Sequence, residues 1–266
     1  MQPLLLLLVL VPATAFVVPM PVQPCTFARE AGQRLYSSSQ DNDEEGIEAA
    51  RRQLEFLVND DSNNEKDAPL LSTIGRQRRE VEIALLEALE FGDEPTDDLW
   101  QLWYSERGPQ AHADLQELEA GLFDPKNWSD AEARLQEMIA QHGMHFCEPL
   151  NRLATLYYMQ GRYQESKKLC QLVLEQKPWH FGALSGIVMV CANLQDIQGA
   201  RQWAARRLPP MVPDGTTDNE RRKEWADRAV DDARQRLVEE EERIRVAFGK
   251  RQRYIEEQQP EEDAWQ

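Results

Sequence analysis

Apolar and polar residues between about 112 and 214 alternate with a helical rhythm. Leu150, Leu153, Ala154 and Tyr157 fall at i, i+3, i+4 and i+7, which is one stripe along an α-helix. A turn follows at Gln160-Gly161-Arg162-Tyr163. A second stripe, Ser166, Leu169, Cys170, Val173 and Leu174, then ends at Lys177-Pro178. The whole pattern returns. Leu115, Leu150 and Leu184 are separated by 35 and then 34 residues, and the same two intervals separate Leu118, Leu153 and Ile187. They recur for Leu122/Tyr157/Cys191, Trp128/Tyr163/Ile197, Ala131/Ser166/Ala200 and Leu135/Cys170/Ala204. Six registers sharing one period predict three helical hairpins, over 112–146, 147–180 and 181–214, within a repeat region of 111–214. Small residues at Ala131, Ser166 and Ala200 let the two helices of each hairpin approach. Ser129-Asp130-Ala131-Glu132 has the form of a capping box that starts the second helix of the first hairpin.

The flanks carry weaker versions of the same signal. Val81, Ala84, Leu85, Ala88 and Leu89 predict a helix within 72–91, and 97–105 reads as a short Trp-rich helix ahead of Gly108-Pro109. Together, 72–110 is expected to form a helical cap that buries the open edge of the first hairpin. Residues 41–71 are expected to be a mostly disordered acidic linker, with an amphipathic piece at 47–58 and a polar stretch from Asn59 to Asp67. After the repeats, Pro209-Pro210 and Pro213-Asp214-Gly215 stop the last hairpin. Thr217-Asp218-Asn219-Glu220 then caps a long charged helix over 217–258, with a disordered tail at 259–266. Ala226, Val230, Ala233, Leu237, Ile244, Ala247 and Tyr254 fit a heptad that Glu240 and Arg251 interrupt. The expected arrangement lays the first half of this helix on the repeats and projects the rest, with a coiled-coil dimer as the alternative.

The period and the Leu, small, Tyr, Gly-x-Tyr, small and closing-Pro positions, met best by 147–180, resemble the tetratricopeptide repeat. The resemblance implies an all-α fold, a short α-solenoid of three hairpins with a helical cap before it and a long helix after it. The outer units are degenerate, as terminal repeats of a short solenoid are: 112–146 has an extra residue and no closing proline, and 181–214 has Cys191 in the tyrosine position. Leu99-Trp100-Gln101-Leu102-Trp103, Asn151-Arg152-Leu153-Ala154-Thr155 and His180-Phe181-Gly182-Ala183-Leu184-Ser185-Gly186 also resemble, in order, a family of tetratricopeptide proteins from bacteria and plastid-bearing eukaryotes. That likeness spans about 97–210 and implies no activity. In such a solenoid the first helices of successive hairpins line a concave groove. The resemblance puts Asn151, Arg152, Thr155 and Tyr158 on that face, followed by Gly182, Ser185, Gly186 and Met189. Arg152 beside Asn and Thr could grip a backbone or a carboxylate, and the two glycines admit close approach of a bound segment or a neighbouring helix. The alternative is that Arg152 pairs with a nearby Glu and that the glycines serve packing.

Charge narrows the list of partners. The 266 residues carry 30 Lys+Arg against 47 Asp+Glu, a formal charge of -17. With a sequence pI near 4.7 and a mean hydropathy of -0.64, the chain lacks the basic footprint that holds nucleic acid or an anionic bilayer. A protein segment is therefore the expected partner, with no nucleic acid and no stable transmembrane anchor.

The first 40 residues read as an address. Leu4 to Val11 is a leucine-rich run too short to span a bilayer, and Ala13-Thr14-Ala15 offers a small-x-small cleavage site, giving a signal peptide at 1–15. Residues 16–40 carry Arg29, Arg34 and Ser37-Ser38-Ser39 with only Glu30 as an acid, which has transit-peptide character. Ala13-Thr14-Ala15-Phe16-Val17-Val18-Pro19 resembles the bipartite plastid presequence of algae with secondary plastids, which implies plastid import through the secretory route. Secretion or residence in an endomembrane lumen is the alternative.

Catalytic signatures are missing. Neither a phosphate loop, a GxSxG elbow, an HExxH pair nor a dinucleotide fingerprint occurs. His142, His145 and Cys147 have a spacing compatible with metal, but the local sequence offers no clear fourth ligand. No cofactor or metal is expected. The leading expectation is a non-enzymatic protein-interaction adaptor or assembly factor. A constitutive structural subunit and, less favoured, a metal-dependent hydrolase using His142/His145/Cys147 are the alternatives.

Overall fold

The computed structural model describes residues 40–58, 73–211 and 217–258, and every regular element among them is helical. The leader segments, the stretch 59–72, the turn at Pro213-Asp214-Gly215 and the tail lie outside those residues. Ten α-helices follow in order: α1 Gln40–Val58, α2 Thr73–Ala88, α3 Pro95–Tyr104, α4 Gly108–Gly121, α5 Trp128–His142, α6 Cys147–Met159, α7 Tyr163–Gln176, α8 Phe181–Asn193, α9 Ile197–Ala204 and α10 Thr217–Gln258. Helices α4/α5, α6/α7 and α8/α9 are three antiparallel hairpins stacked into a solenoid-like, all-α repeat fold. α6 packs on both α4 and α8, so the first helices of the hairpins form one layer.

Most of the periodic residues on the first helices build the core. Leu115, Leu150 and Leu184 are buried, as are Leu118, Leu153 and Ile187. Ser166 shows why a small residue recurs there: its hydroxyl donates to the carbonyl of Ala154 at 2.7 Å, drawing α7 onto α6. The turns repeat as well. Gly161 takes φ +76°, and 34 residues later Gln195 takes φ +60° in the corresponding turn. That left-handed backbone suits glycine and strains glutamine.

Regularity fails at α9, which has no buried residue and leaves Ile197 at 56% exposure. No fourth hairpin covers it, because α10 turns away and packs on α2. Trp225, Ala226, Ala229, Val230 and Ala233 of α10 share one core with Val81, Leu85 and Leu86 of α2, with Leu89 just after it, and with Ala50 and Leu54 of α1. The α2–α10 packing is pinned by Arg222, which is fully buried. Its guanidinium donates to the carbonyls of Leu89, Gly92 (2.6 Å) and Pro209 (2.8 Å) and pairs with Asp93. The first half of α10 is thus cemented, and the described side chains between Arg234 and Lys250 are mostly exposed.

Four details differ from the sequence expectation, the first being that the first half of α10 lies mainly on α2 and not on the repeats. Part of the supposed linker is helical: α1 covers Gln40–Val58 and buries Ala50 and Leu54 against the α2–α10 core, a tertiary gain that local composition does not reveal. The first hairpin does not use Ser129 as a cap. A single 3-10 turn at Pro125–Asn127 leads straight into α5, and the Asp124 carboxylate accepts from the Lys126 N–H instead. Glu132 is thereby freed to bind Arg162 and the Tyr157 hydroxyl. Finally, the Trp-rich helix does more than cover the first hairpin, because Trp103 reaches across to the start of α8.

Candidate protein-binding groove

Asn151, Arg152, Thr155 and Tyr158 lie along successive turns of α6, and Gly182, Ser185, Gly186 and Met189 along successive turns of the adjacent α8. The structure divides these eight positions into two environments.

Toward the helix N-termini, α3 occupies the face. The Trp100 ring sits edge-on to Phe181 at 4.9 Å and to His180 at 5.4 Å, and Trp103 stacks on His180 at 4.5 Å. A β-carbon on Gly182 would lie 2.7 Å from the Trp100 ring, so the glycine is needed for α3 to approach. Gly186 and Asn151 are buried. Arg152 is mostly buried, pairs with Glu119 at 3.2 Å and Glu148 at 3.7 Å, and lies 5.3 Å and 5.1 Å from the Trp100 and Tyr104 ring centroids. Burial works against its charge, but the facing Tyr104 oxygen and the Glu148 and Glu119 carboxylates outweigh that and raise its pKa.

Two buried carboxylates hold this assembly. Glu148 accepts from His180 Nε2 at 2.8 Å, while His180 Nδ1 accepts the Ala183 N–H and caps α8. That cap fixes the tautomer with its proton on Nε2. Burial alone would raise the Glu148 pKa; His180, Arg152 and Lys177 pull it below the ordinary carboxylate value. One Glu82 oxygen accepts from both indole N–H groups, Trp103 and Trp179, at 2.8 Å, and the other pairs with Arg79. Lys177, itself paired with Glu106, stands 3.9 Å away. Burial again opposes the negative charge, and Arg79, Lys177 and the two indoles reverse the balance. Glu82 therefore joins α2, α3 and the α7–α8 turn at one atom pair.

Toward the C-termini of α6 and α8 the face is open. Thr155, Tyr158, Ser185 and Met189 are each half-buried. The Thr155 hydroxyl donates to the Asn151 carbonyl at 3.0 Å, and the Tyr158 oxygen accepts from Asn193 Nδ2 at 2.9 Å. Asn193 was not among the sequence candidates, although it follows Met189 by one helical turn, and that spacing was the available signal. Apart from Met189, the open half presents neutral hydroxyl and amide groups, the complement of peptide main chain rather than of charge.

No family model matches the chain, and no solved structure matches it significantly. The chain is similar to a TPR repeat-containing protein of Rhizobium etli, at 42% identity over 48 residues, 18% of this chain and 24% of the relative. The match thus spans about a quarter of that relative's length. With the stacked hairpins described above, this supports a tetratricopeptide-like helical fold.

The metal-like spacing resolves into separate surroundings. His142 is buried edge-on to Phe146 at 5.7 Å. His145 is half-buried at the α5–α6 turn. Cys147 is buried, its thiol donates to the His145 carbonyl, and burial pushes its pKa up to about 12, far from a ready thiolate. Burial likewise pushes Cys170 up to about 12. Among the described residues, no group of three His, Cys, Asp or Glu side chains is placed to hold a metal ion. No described helix is long and apolar enough to cross a membrane.

Proposed function

We propose that this chain is a non-enzymatic adaptor or assembly factor that holds an extended segment of a partner protein on the open half of its concave face. The observation that carries the reading is the half-buried stripe of Thr155, Tyr158, Ser185 and Met189, with exposed Asn193 beside it, on a helical repeat fold whose neighbouring half is already filled by α3. Hydroxyls and an amide at helical spacing can pair with successive peptide groups, and Met189 supplies an adaptable apolar contact. Within this reading Asn151, Arg152, Gly182 and Gly186 shape the floor and position α3, while the other four contact the partner.

Affinity capture with the full chain tests it. The wild type should recover a protein that a Tyr158→Ala/Met189→Glu double variant loses while melting at nearly the same temperature; equal recovery by both ends the groove assignment. We also propose plastid import through the secretory route, on the strength of the Ala13-Thr14-Ala15-Phe16 junction. A fluorescent fusion of residues 1–45 should enter plastids, and a fusion found in the medium or the endoplasmic reticulum contradicts that assignment.

A further inference from the structure

One motif takes no part in the repeats or in the groove. Asn127-Trp128-Ser129 has the form Asn-x-Ser with a residue other than proline in the middle, the acceptor pattern for an N-linked glycan. No other asparagine in the chain has Ser or Thr two positions later. A motif this short also arises by chance, so its place in the fold decides whether it can be used.

It falls on the turn between α4 and α5. Asp124 and Pro125 set a single 3-10 turn at Pro125–Asn127, and α5 starts at Trp128. Residues 123–127 and Ser129 are all exposed. Trp128 is the exception: it is half-buried, and its Nε1 donates to the Leu122 carbonyl at 2.9 Å. The indole is therefore pinned to the hairpin, while the side chains before and after it stand in solvent. Neither of those two is committed elsewhere. Asn127 Nδ2 makes one long bond, 3.4 Å to the Gly121 carbonyl. The Ser129 hydroxyl, which does not cap α5, has no hydrogen-bond partner among the described residues. A group attached to the Asn127 amide thus takes almost nothing from the fold. Phe123, 50% exposed on the same turn, is an apolar ring that such a group would screen.

We infer that Asn127 is an N-glycosylation site. The inference rests on the proposed entry into the endoplasmic reticulum through the leader, a step that plastid import by this route and secretion share. The donor is an oligosaccharide carried on a lipid diphosphate. The bond from C1 of its first sugar to the diphosphate oxygen breaks, a bond from C1 to Asn127 Nδ2 forms, one amide proton leaves, and the lipid diphosphate is released. Ser129 supplies the hydroxyl that marks the acceptor. Because Trp128 and Ser129 open α5 in the folded chain, transfer takes place before that helix closes, as the segment enters the lumen.

The test is expression of the full chain with its own leader in a eukaryotic cell. The readout is a gel-mobility shift that an amidase specific for N-linked glycans reverses, converting Asn127 to Asp. A parallel chain carries a strong secretory signal in place of residues 1–15. One shift should appear in both chains, vanish in Asn127→Gln and in Ser129→Ala, and persist in Ser129→Thr, which keeps the hydroxyl. A shift in the second chain alone upholds the site and contradicts the route proposed for the leader. Absence of a shift in the second chain overturns the inference, as does a shift that Asn127→Gln or Ser129→Ala retains.

Discussion

The two ends of the α6–α8 face are built from the same pair of helices, yet they differ in burial and in chemistry. Near the N-termini of α6 and α8, an aromatic helix, two buried carboxylates and a required glycine fix one arrangement. A few turns further on, the same helices show half-buried hydroxyls and one methionine with few partners. Stabilising contacts are therefore concentrated in one half, and the other keeps partly accessible side chains. The contrast shows that one aromatic helix laid against a repeat face can divide it into a packed end and an accessible end.

The sharpest way to break the comparison is at Glu82. Glu82→Leu strips an acceptor from two indoles and a counter-charge from Arg79 and Lys177, and removing one partner from a buried ionic network costs about 3–5 kcal/mol. Urea unfolding should show that loss; a cost under about 1 kcal/mol would mean that α2, α3 and the α7–α8 turn are not joined there. Next is Gly182→Ala. Helix propensity favours alanine by up to ~1 kcal/mol, but the added methyl would sit 2.7 Å from Trp100, and overpacking of that kind costs about 1–3 kcal/mol. The net should be destabilising, and Trp100→Leu should relieve part of it in a double-mutant cycle. Additive effects would separate α3 from the groove floor.

On the open half, Tyr158→Ala removes the hydrogen bond from Asn193, worth about 1 kcal/mol, together with a ring contact with Tyr163 at 5.5 Å. A loss approaching that of Glu82→Leu would erase the distinction between the halves. The smallest effect is outside both. Gln195→Gly relieves about 1–2 kcal/mol of left-handed strain and loses about 0.5–1 kcal/mol to backbone entropy, a net gain of between about 0 and 1.5 kcal/mol in the melting equilibrium.

The repeats were legible in the sequence because packing imposes a period on it: Leu115, Leu150 and Leu184 are apolar for one reason, applied three times. Helices α2, α3 and α10 were also visible as elements, since amphipathic spacing and capping residues are local. Their placement was not. Nothing in Ala226 or Val230 states that the partner face is α2 rather than α9, because an apolar stripe records burial and not the identity of what buries it. The same ambiguity hid the role of Trp100, whose pattern fits an edge cap and a groove filler equally well. Arg152 had two readings, a partner grip or a pair with glutamate; its ties to Glu119, Glu148, Trp100 and Tyr104 are long-range contacts that spacing cannot express.

Helix α3 is an integral part of the packing against α6 and α8 and not a separately mobile cover. Native-state hydrogen exchange across 95–104 tests it most directly. The amides of α3 should exchange only with the global opening that also releases α6 and α8, and should stay protected when partner is added. Exchange of α3 in a separate, faster step, or its loss of protection on binding, would contradict the account.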